Sequence, residues 1–422
     1  MNFYSFSGFC AGAAGMLFLS SCSLLGLRKQ VNALEAHGGI TLLVTPAPQG
    51  PAQTYAVAWT MAHGVRKASV GFQEVGSTGL AAFSLRLEET YRAGAFTDEN
   101  GNREYDAGEP MAMVKDIRPL PLGDSATTAK VHVLTLRRDH GLAAGTRITM
   151  APEDKKLGGS MSLALGEVAS LDEPRFAPKE GGNGLWRPLE FLTNSTPGIY
   201  FTEPYDPARI PVLFVYGIGG SPQDWKYFID HFDRKRHQLW FYHYPSGMRL
   251  GRVSNAMTEG LRLLKQQHGF SQCYVVAHSM GGLVSRPAIV EAVTAEGGGD
   301  GNFIPRFVSI STPWGGHQAA ASGIRHLKTP VPSWIDVCPG SDYLLKLYNT
   351  PLPKGTSHDL IYGSIKGGPF YLKGENDGVV TVESETDLRV KKSTSSFQHL
   401  FHDHVGILNQ DETVKLVEER LR

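Results

Sequence analysis

One short stretch, residues 273–286, restricts the fold of this chain more than any other. An apolar, strand-like run leads into Ala277-His278-Ser279-Met280-Gly281, and an apolar-periodic run that favours a helix follows. A serine on such a sharp turn has strained backbone angles, and the residues two before and two after it pass close to neighbouring backbone. Both must therefore be small, as Ala277 and Gly281 are. The stretch predicts strand, tight turn and helix, which is the context of a nucleophile elbow.

Strand-like and helix-like segments alternate from about residue 209 to the end of the chain. Continuous apolar runs at residues 211–216, 238–244 and 273–277 fit parallel strands that are buried on both faces. Between the second and third runs, Val253, Met257, Leu261 and Leu264 recur at helical spacing. This pattern predicts α/β architecture, a mostly parallel sheet with helices on both faces.

The chain before residue 209 has a different pattern. Short, β-branched, alternating runs separated by Gly, Pro and Asn turns predict a small, immunoglobulin-like β-sandwich domain over residues 40–150. Residues 151–208 are punctuated by Pro and Gly and are interpreted as a connector, and residues 23–39 as a tether. A chain of 422 residues is long enough for two or three such units.

Residues 209–422 resemble bacterial lipases and, through Ser311-Thr312-Pro313-Trp314-Gly315-Gly316-His317, the related GPI inositol-deacylase-like serine hydrolases. The Ser279 turn carries this resemblance, with Ala277 in the place of the commoner Gly. So does Tyr216-Gly217-Ile218-Gly219-Gly220, which is similar to the His-Gly loop of lipases with Tyr216 in place of the histidine. The resemblance implies the α/β-hydrolase fold.

The same resemblance implies a Ser-His-Asp triad with Ser279 as the nucleophile. Asp377, which Gly and two valines follow, is similar to the acid loop of lipases, and His404 is favoured as the base. Their rivals are Glu375 and Asp387 for the acid and His399 and His402 for the base, while His278 and His317 are expected to lie at the surface or beside the site. The backbone N–H groups of Ile218 and Met280 would form the oxyanion hole.

These groups predict a serine-dependent carboxylic ester hydrolase, with a lipid acyl ester as the expected substrate and no catalytic cofactor. An acyltransferase or a thioesterase would use the same groups. From a different class, the chain could be a non-catalytic surface lipoprotein that binds a partner through its β-domain. Residues 317–350 are interpreted either as an apolar lid over the site or as a helical excursion packed on the sheet.

An acidic loop in the β-domain has the spacing of a calcium site. Side-chain oxygens recur at the first, third, fifth, ninth and twelfth positions, in Asp98, Asn100, Asn102, Asp106 and Glu109. Arg103 stands where an EF-hand has glycine, so the loop looks more like the Asx-rich calcium loops of bacterial surface domains. A structural Ca²⁺ and a solvated hairpin turn are the two alternatives here.

The first 22 residues are apolar, rich in small residues and end in Leu19-Ser20-Ser21-Cys22, which resembles the lipobox of bacterial lipoproteins. The resemblance implies cleavage before Cys22, acylation of Cys22 and a lipid anchor in the bacterial cell envelope, at the outer membrane or the cell surface. No Lys or Arg precedes the apolar run, so an uncleaved anchor and an ordinary signal peptide remain alternatives.

Charge and cysteine content argue against two further classes of protein, those that bind nucleic acid and those held together by disulfides. Lys and Arg together number 41, as do Asp and Glu, and no basic stripe is present, so nucleic acid is not an expected partner. Four cysteines, of which Cys10 and Cys22 lie in the N-terminal segment, cannot make a disulfide scaffold. The sequence does not decide whether Cys273 and Cys338 form a disulfide.

Overall fold

The structure is a computed structural model that describes residues 21–46, 48, 50–60, 66–68, 70–76, 78–121, 131–142, 146–149, 159–161, 163–295, 301–369 and 372–422. The predicted signal segment lies outside these residues, apart from the backbone of Ser21 and Cys22. The described chain forms two compact units. The N-terminal unit comprises Gln30–Glu167 and Leu189–Pro197, and the C-terminal unit comprises Val168–Pro188, Gly198–Arg422 and the described residues up to Lys29.

Two β-sheets build the N-terminal unit. After helix α1 (Ser21–Ala36), the strands are β1 (His37–Val44), β2 (Gln53–Thr60), β3 (Arg66–Ala68), β4 (Gly71–Glu74), β5 (Leu80–Arg86), β6 (Tyr91–Asp98), β7 (Met111–Ile117), β8 (Leu120–Pro121), β9 (Val131–Leu134), β10 (Arg147–Thr149), β11 (Gly159–Met161) and β12 (Ala164–Val168). The first sheet has the order β11-β5-β1-β8 with β9 parallel beside β1, and the second is antiparallel in the order β4-β2-β6-β7. Strands β3 and β10 form a separate parallel pair.

The two sheets share one apolar core. Alternate residues of β1 are buried, and Ile40 and Leu42 meet Ala56 of the second sheet and Phe83 of the first in a single cluster. The residues of β2 that alternate with these, among them Trp59, belong to a second cluster on the opposite face of that strand. A period of two along a strand sends successive side chains to opposite faces, so this packing makes the predicted β-sandwich.

The C-terminal unit contains most of the helices. In chain order the helices are α2 (Pro178–Trp186), α3 (Pro188–Asn194, most of which belongs to the N-terminal unit), α4 (Lys226–His231), α5 (Leu250–His268), α6 (Met280–Ala295), α7 (Gln318–His326), α8 (Pro332–Val337), α9 (Asp342–Lys346), α10 (Val382–Glu385), α11 (Leu388–Lys391) and α12 (Asp411–Arg420). The strands are β13 (Gly198–Phe201), β14 (Ile210–Val215), β15 (His237–His243), β16 (Tyr274–His278), β17 (Arg306–Ile310), β18 (Ser357–Gly363) and β19 (Ser396–Leu400). Short 3₁₀ turns lie at Arg138–His140, Pro174–Phe176, Pro222–Trp225 and Gly406–Asn409.

Seven strands that lie wholly in this unit share one sheet, in the order β13-β15-β14-β16-β17-β18-β19. Strand β13 is antiparallel to β15, and every other neighbouring pair among these seven is parallel. All seven residues of β15 are buried, which requires cover on both faces of the sheet. Helices α5 and α6 contact each other, as do α4 and α12, and α6 and α12 each contact the sheet. The predicted α/β-hydrolase architecture is confirmed.

Two of the expected boundaries differ from the structure. Residues 23–39, expected to be a tether, belong to α1 and the start of β1, because Leu27, Gln30 and Leu34 recur at helical spacing and are buried. Residues 151–208, expected to be a connector, contain α2, α3, β12 and β13, and Phe176 and Leu185 are completely buried. The Pro and Gly residues that suggested a linker lie at the starts of these helices and where backbones approach closely.

Residues 317–350 form helices α7, α8 and α9 within the C-terminal unit. The carboxylate of Asp336 is buried, lies 2.8 Å from the Arg249 guanidinium and accepts a 2.6 Å hydrogen bond from the Leu250 N–H at the start of α5. Trp334 and Leu344 are buried, while Ile335 and Leu345 are exposed. This stretch is therefore tied to the body of the unit, as the packed-excursion alternative expects.

Cys273 and Cys338 are free thiols, so the bridge that the sequence left open is not formed. Burial raises the pKa of the Cys273 thiol well above its usual range, which keeps it unreactive. Within the described parts of the chain, no helix is long and apolar enough to cross a membrane.

Candidate active site

Ser279 lies between β16 and α6 with a left-handed backbone, φ 54°. Its N–H donates to the Ile310 carbonyl of the neighbouring strand at 2.8 Å. A Cβ added to Gly281 would lie 2.5 Å from the carbonyl oxygens of Val215 and Tyr216, so the turn tolerates no side chain there. The local sequence thus produces the strained strand–turn–helix geometry that lifts a serine hydroxyl to the end of the sheet.

His404 lies between Ser279 and Asp377. Its Nε2 is 2.9 Å from Ser279 Oγ, and its Nδ1 is 2.5 Å from Asp377 Oδ2. All three side chains are buried or nearly so. Because the carboxylate faces Nδ1, that nitrogen carries the proton, and Nε2 is left to accept the proton of the serine hydroxyl. This is the arrangement that activates a serine.

Asp377 is held as an anion. Its Oδ1 accepts hydrogen bonds from the N–H groups of Val379 at 2.9 Å and Val380 at 2.7 Å. Burial opposes ionisation, but the adjacent His404 and these two donors hold the pKa of the Asp377 carboxyl below its usual range. The tight turn that follows Asp377 in the sequence, Gly378-Val379-Val380, supplies the donors.

The rival acids and bases make their contacts elsewhere. Glu375 accepts a 3.0 Å hydrogen bond from the Ser364 hydroxyl, and Asp387 pairs with Arg389 at 2.8 Å. His399 Nε2 lies 2.7 Å from the same Ser364 hydroxyl, and His402 faces Glu412 at 3.5 Å. Of the candidates that the sequence offered, the structure brings Asp377 and His404 to Ser279.

Two further histidines lie beside the site. His278 Nε2 donates to the His404 carbonyl at 2.8 Å, and His317 Nδ1 accepts from the Ala319 N–H at 3.2 Å at the start of α7. Burial, aided by the nearby His404, lowers the pKa of His278 to about 3 and that of His317 to about 4. Both rings are therefore neutral at neutral pH and fix the loops that carry the base and α7.

The loop after β14 lies directly against the serine. A Cβ on Gly217 would be 2.7 Å from Ser279 Cβ. Gly219 N–H donates to Ser246 Oγ at 2.9 Å, which pins the far side of the loop. Met280 is the first residue of α6, where backbone N–H groups have no acceptor within the helix. The loop that carries Ile218 therefore lies against the nucleophile and Met280 follows it directly, while the role of their N–H groups as an oxyanion hole stays a prediction.

Tyr216 starts this loop, and its hydroxyl has two backbone partners. Tyr216 Oη accepts from the Tyr244 N–H at 2.7 Å and donates to the Tyr244 carbonyl at 2.5 Å. In return, Tyr244 Oη donates to the Tyr216 carbonyl at 2.5 Å, and the two rings stack 4.5 Å apart. The pair locks the start of the loop to the end of β15.

Sequence reasoning missed two supports of this site. Helix α2 packs its Gly181 on the loop, where an added Cβ would lie 2.4 Å from the Gly220 carbonyl oxygen. The run Gly181-Gly182-Asn183-Gly184 was the available signal, since closely spaced glycines permit close backbone contact. The second support is the buried carboxyl of Glu385 beside Asp377. Nothing in Val382-Glu383-Ser384-Glu385 distinguishes it from an exposed helical turn.

The acidic loop of the N-terminal unit uses its oxygens internally. Asp98 accepts from the N–H groups of Gly101 and Arg103, and Glu109 from those of Glu99 and Asp106. The amides of Asn100 and Asn102 both donate to Asp106 Oδ2. Among the residues that the structure describes, no three His, Cys, Asp or Glu side chains cluster closely enough to hold a metal ion. Calcium binding at this loop stays a prediction.

No protein family and no curated protein matches the chain. Among solved structures, it is similar to the mature lipase BlEst2 of Bacillus licheniformis, at 19% identity and a TM-score of 0.43 over 52% of this chain and 96% of that one. For the lin2722 gene product of Listeria innocua the identity is 17% and the TM-score 0.37, over 51% and 94% of the two chains. For the esterase Pf2001 of Pyrococcus furiosus the identity is 18% and the TM-score 0.35, over 51% of this chain and 80% of that one. Likenesses this distant carry no argument about activity, which rests on the geometry of the site.

Proposed function

We propose that this protein is a serine-dependent carboxylic ester hydrolase acting on lipid acyl esters. The observation that carries the proposal is the unbroken hydrogen-bonded chain from Ser279 Oγ through His404 to Asp377, at 2.9 and 2.5 Å. Ser279 itself lies on a strained turn, and the Gly217 loop packs against it. A serine hydroxyl is a weak nucleophile without a base in reach, and this geometry supplies that base together with its orienting acid.

The reaction proceeds by acyl transfer. Ser279 Oγ attacks the ester carbonyl carbon while His404 Nε2 takes the hydroxyl proton, and the N–H groups of Ile218 and Met280 bind the oxyanion. His404 then gives the proton to the departing alcohol, which leaves an acyl-Ser279 ester. Water then attacks this ester while the same imidazole takes its proton, and His404 returns that proton to Ser279 Oγ as the carboxylic acid is released.

Exposed apolar side chains next to the base support a lipid acyl substrate. Phe401 is 74% exposed and Val405 is 42% exposed, and they lie three residues before and one residue after His404. Exposed apolar side chains beside a site offer a surface to an apolar ligand. We expect p-nitrophenyl esters of medium and long acyl chains to be hydrolysed with higher kcat/KM than the acetate. A profile that falls steadily from acetate onward would contradict the lipid substrate but leave the esterase intact.

The catalytic role of Ser279 is tested by a fluorophosphonate probe on the whole protein. Wild type should be labelled, and Ser279→Ala should lose both labelling and ester hydrolysis. The matched control is Ser285→Ala, which removes a buried serine from α6, the helix that follows the elbow. Labelling that survives in Ser279→Ala would mean that another residue is the nucleophile, and wild type that remains unlabelled would favour the non-catalytic lipoprotein.

We also propose that the protein is lipid-anchored in the bacterial cell envelope through Cys22. The support is the sequence Leu19-Ser20-Ser21-Cys22 at the end of an apolar segment, and two or more acyl chains suffice for stable anchoring. Mass spectrometry of the mature protein should find an acylated N-terminal Cys22, and Cys22→Ala should move the protein out of the membrane fraction. Cys10→Ala, in the same segment, is the control. An unmodified Cys22 would overturn the anchor.

A structural Ca²⁺ in the loop between Asp98 and Glu109 is a separate proposal. Its support is the spacing of five oxygen-bearing side chains and the convergence of Asn100 and Asn102 on Asp106. Added Ca²⁺ should raise the thermal midpoint of wild type but not that of Asp106→Asn. Equal midpoints of wild type in Ca²⁺ and in EDTA would mean that hydrogen bonds alone hold the loop.

A further inference from the structure

A second carboxyl group is buried against the acid of the triad. Glu385 ends the short helix α10, eight residues after Asp377, and is 1% exposed. Its Oε1 accepts a long hydrogen bond, 3.5 Å, from the Gly363 N–H at the end of β18. Gly363 in turn lies against the acid, because a Cβ on it would be 3.3 Å from Asp377 Cβ and 3.4 Å from Ser311 Oγ. Glu385, Ser311 and Asp377 thus share one buried space.

Two polar atoms in this buried space need hydrogen-bond partners. Glu385 Oε2 and Ser311 Oγ are both buried without a geometrically good hydrogen bond. A carboxylate can only accept, and an acceptor that is buried without a donor destabilises the protein. Two carboxylates cannot satisfy each other, whereas one carboxylic acid and one carboxylate can share a proton. A proton on Glu385 resolves the orphaned oxygen.

The electrostatic surroundings of Glu385 also favour its protonated form. Burial, and then the negative charge of Asp377, raise the pKa of the Glu385 carboxyl well above its usual range, while the hydroxyl of Ser311 and the N–H of Gly363 lower it less. Asp377 has three lone-pair sites occupied, by Val379, Val380 and His404, out of about four on a carboxylate. One acceptor site remains for a donor.

We propose that Glu385 is a positioning residue of the triad, a neutral carboxylic acid whose O–H donates a hydrogen bond to the Asp377 carboxylate. The inference rests on the proposed function, in which Asp377 orients His404. The added donor keeps Asp377 ionised and fixed in the rotamer that faces His404 Nδ1. Ser311 completes the set, because its hydroxyl can donate to Glu385. The ionisable groups that face Glu385 are Asp377 on the acid loop and Tyr362 on β18.

The test compares Glu385→Ala with Glu385→Gln in the full chain, with p-nitrophenyl butyrate as the substrate. Glu385→Ala should lower kcat about 10- to 100-fold with little change in KM, since a hydrogen bond to a charged group contributes about 1.5–3 kcal/mol and 1.4 kcal/mol is tenfold. Glu385→Gln keeps a neutral donor and should restore most of the loss. Glu383→Ala, an exposed glutamate of the same helix, is the matched control.

The pH profile separates positioning from mere packing. Wild type should lose kcat at alkaline pH as Glu385 gives up its proton, and Glu385→Gln, which has no such proton, should lack that limb. Unfolding midpoints of both variants show whether each is folded. The proposal is overturned if folded Glu385→Ala keeps wild-type kcat, if Glu385→Gln is as impaired as Glu385→Ala, or if the alkaline limb survives in Glu385→Gln. Failure of the proposed function gives a different result, because wild type would then hydrolyse no ester, or hydrolysis would persist in Ser279→Ala.

Discussion

Two serines at the ends of neighbouring strands have left-handed backbones, which non-glycine residues rarely adopt. Ser279 follows β16 with φ 54°, and Ser311 follows β17 with φ 48°. Such conformations cost of the order of 1–3 kcal/mol each and persist where the surroundings fix them. Here the Ile310 and Ile361 carbonyls each accept the N–H of one of these serines, at 2.8 and 2.9 Å. Strain at this edge of the sheet therefore points one serine at His404 and places the other beside Glu385 and Asp377.

At the scale of residues, the first prediction concerns how many groups must lose a proton before the enzyme is active. His278 and His317 have lowered pKa values, about 3 and about 4, so both rings stay neutral between pH 5 and 9. Neither ring should then contribute to the loss of activity on the acid side, where the base of the triad must be free of its extra proton. A plot of log kcat/KM against pH should fall with a slope of one below its plateau, measured from pH 5 upward. A slope of two would show that a second histidine must also be neutral.

Single residues differ in how far the sequence predicts them. Ser279 was identifiable because its constraint is local: two small residues at fixed offsets between a strand and a helix. The rivals of Asp377 and His404 could not be separated by sequence, since the answer depends on which loops meet at the sheet edge. Glu385 was not identifiable at all, because its burial arises from how its short helix folds back against Gly363 and Asp377, which the local sequence does not indicate.

Among the elements, α2 shows how a segment mistaken for a linker supports the site. Its Gly181 faces the carbonyl oxygens of Gly219 and Gly220, at 2.5 and 2.4 Å from where a Cβ would be, and its Gly184 carbonyl accepts from the Gly247 N–H at 3.0 Å. The helix was missed because three glycines in nine residues weaken both helix propensity and apolar periodicity. Close backbone packing stabilises it instead.

Gly181→Ala should therefore impair the oxyanion loop. The new methyl group has to displace backbone rather than a flexible side chain, and small misplacements of catalytic groups cost about 10- to 100-fold in rate. We expect kcat/KM to fall by that factor. Gly182→Ala is the control one residue along, because a Cβ there meets nothing within 4 Å. It should leave kcat/KM unchanged and stabilise α2 by about 0.5–1 kcal/mol. Equal effects of the two substitutions would exclude the contact with the loop as the cause.

The ion pair of Asp336 and Arg249 makes a prediction about the excursion α7–α9. Asp336→Ala leaves the buried Leu250 N–H without its acceptor and Arg249 without its carboxylate, which should lower the free energy of unfolding by about 2–4 kcal/mol. Asp172→Ala removes an exposed partner of Lys226 and should leave the thermal midpoint unchanged. If Asp336→Ala melts like wild type, the excursion is held by other contacts.

At the scale of the whole molecule, the sequence predicted both architectures but not where one gives way to the other. Period-two alternation marked the β-sandwich, and continuous apolar runs marked the parallel sheet, because burial on one or two faces leaves those patterns. The chain, however, leaves the C-terminal unit after Pro188 and returns at Gly198. The composition does not change where the chain crosses between the units, so the sequence predicted a single domain boundary, at residue 209.

Separate cores lead to a final prediction, that the protein unfolds in two thermal transitions. The sandwich core centres on side chains such as Phe83, whereas Asp336 belongs to the C-terminal unit. Phe83→Ala should lower one transition, since it removes about 3–5 kcal/mol of packing from the sandwich, and Asp336→Ala should lower the other. Differential scanning calorimetry of the full chain measures both. Fluorophosphonate labelling of Ser279 on heating should disappear with the transition that Asp336→Ala shifts. One transition shifted equally by both variants would mean that the two units unfold as a single cooperative body.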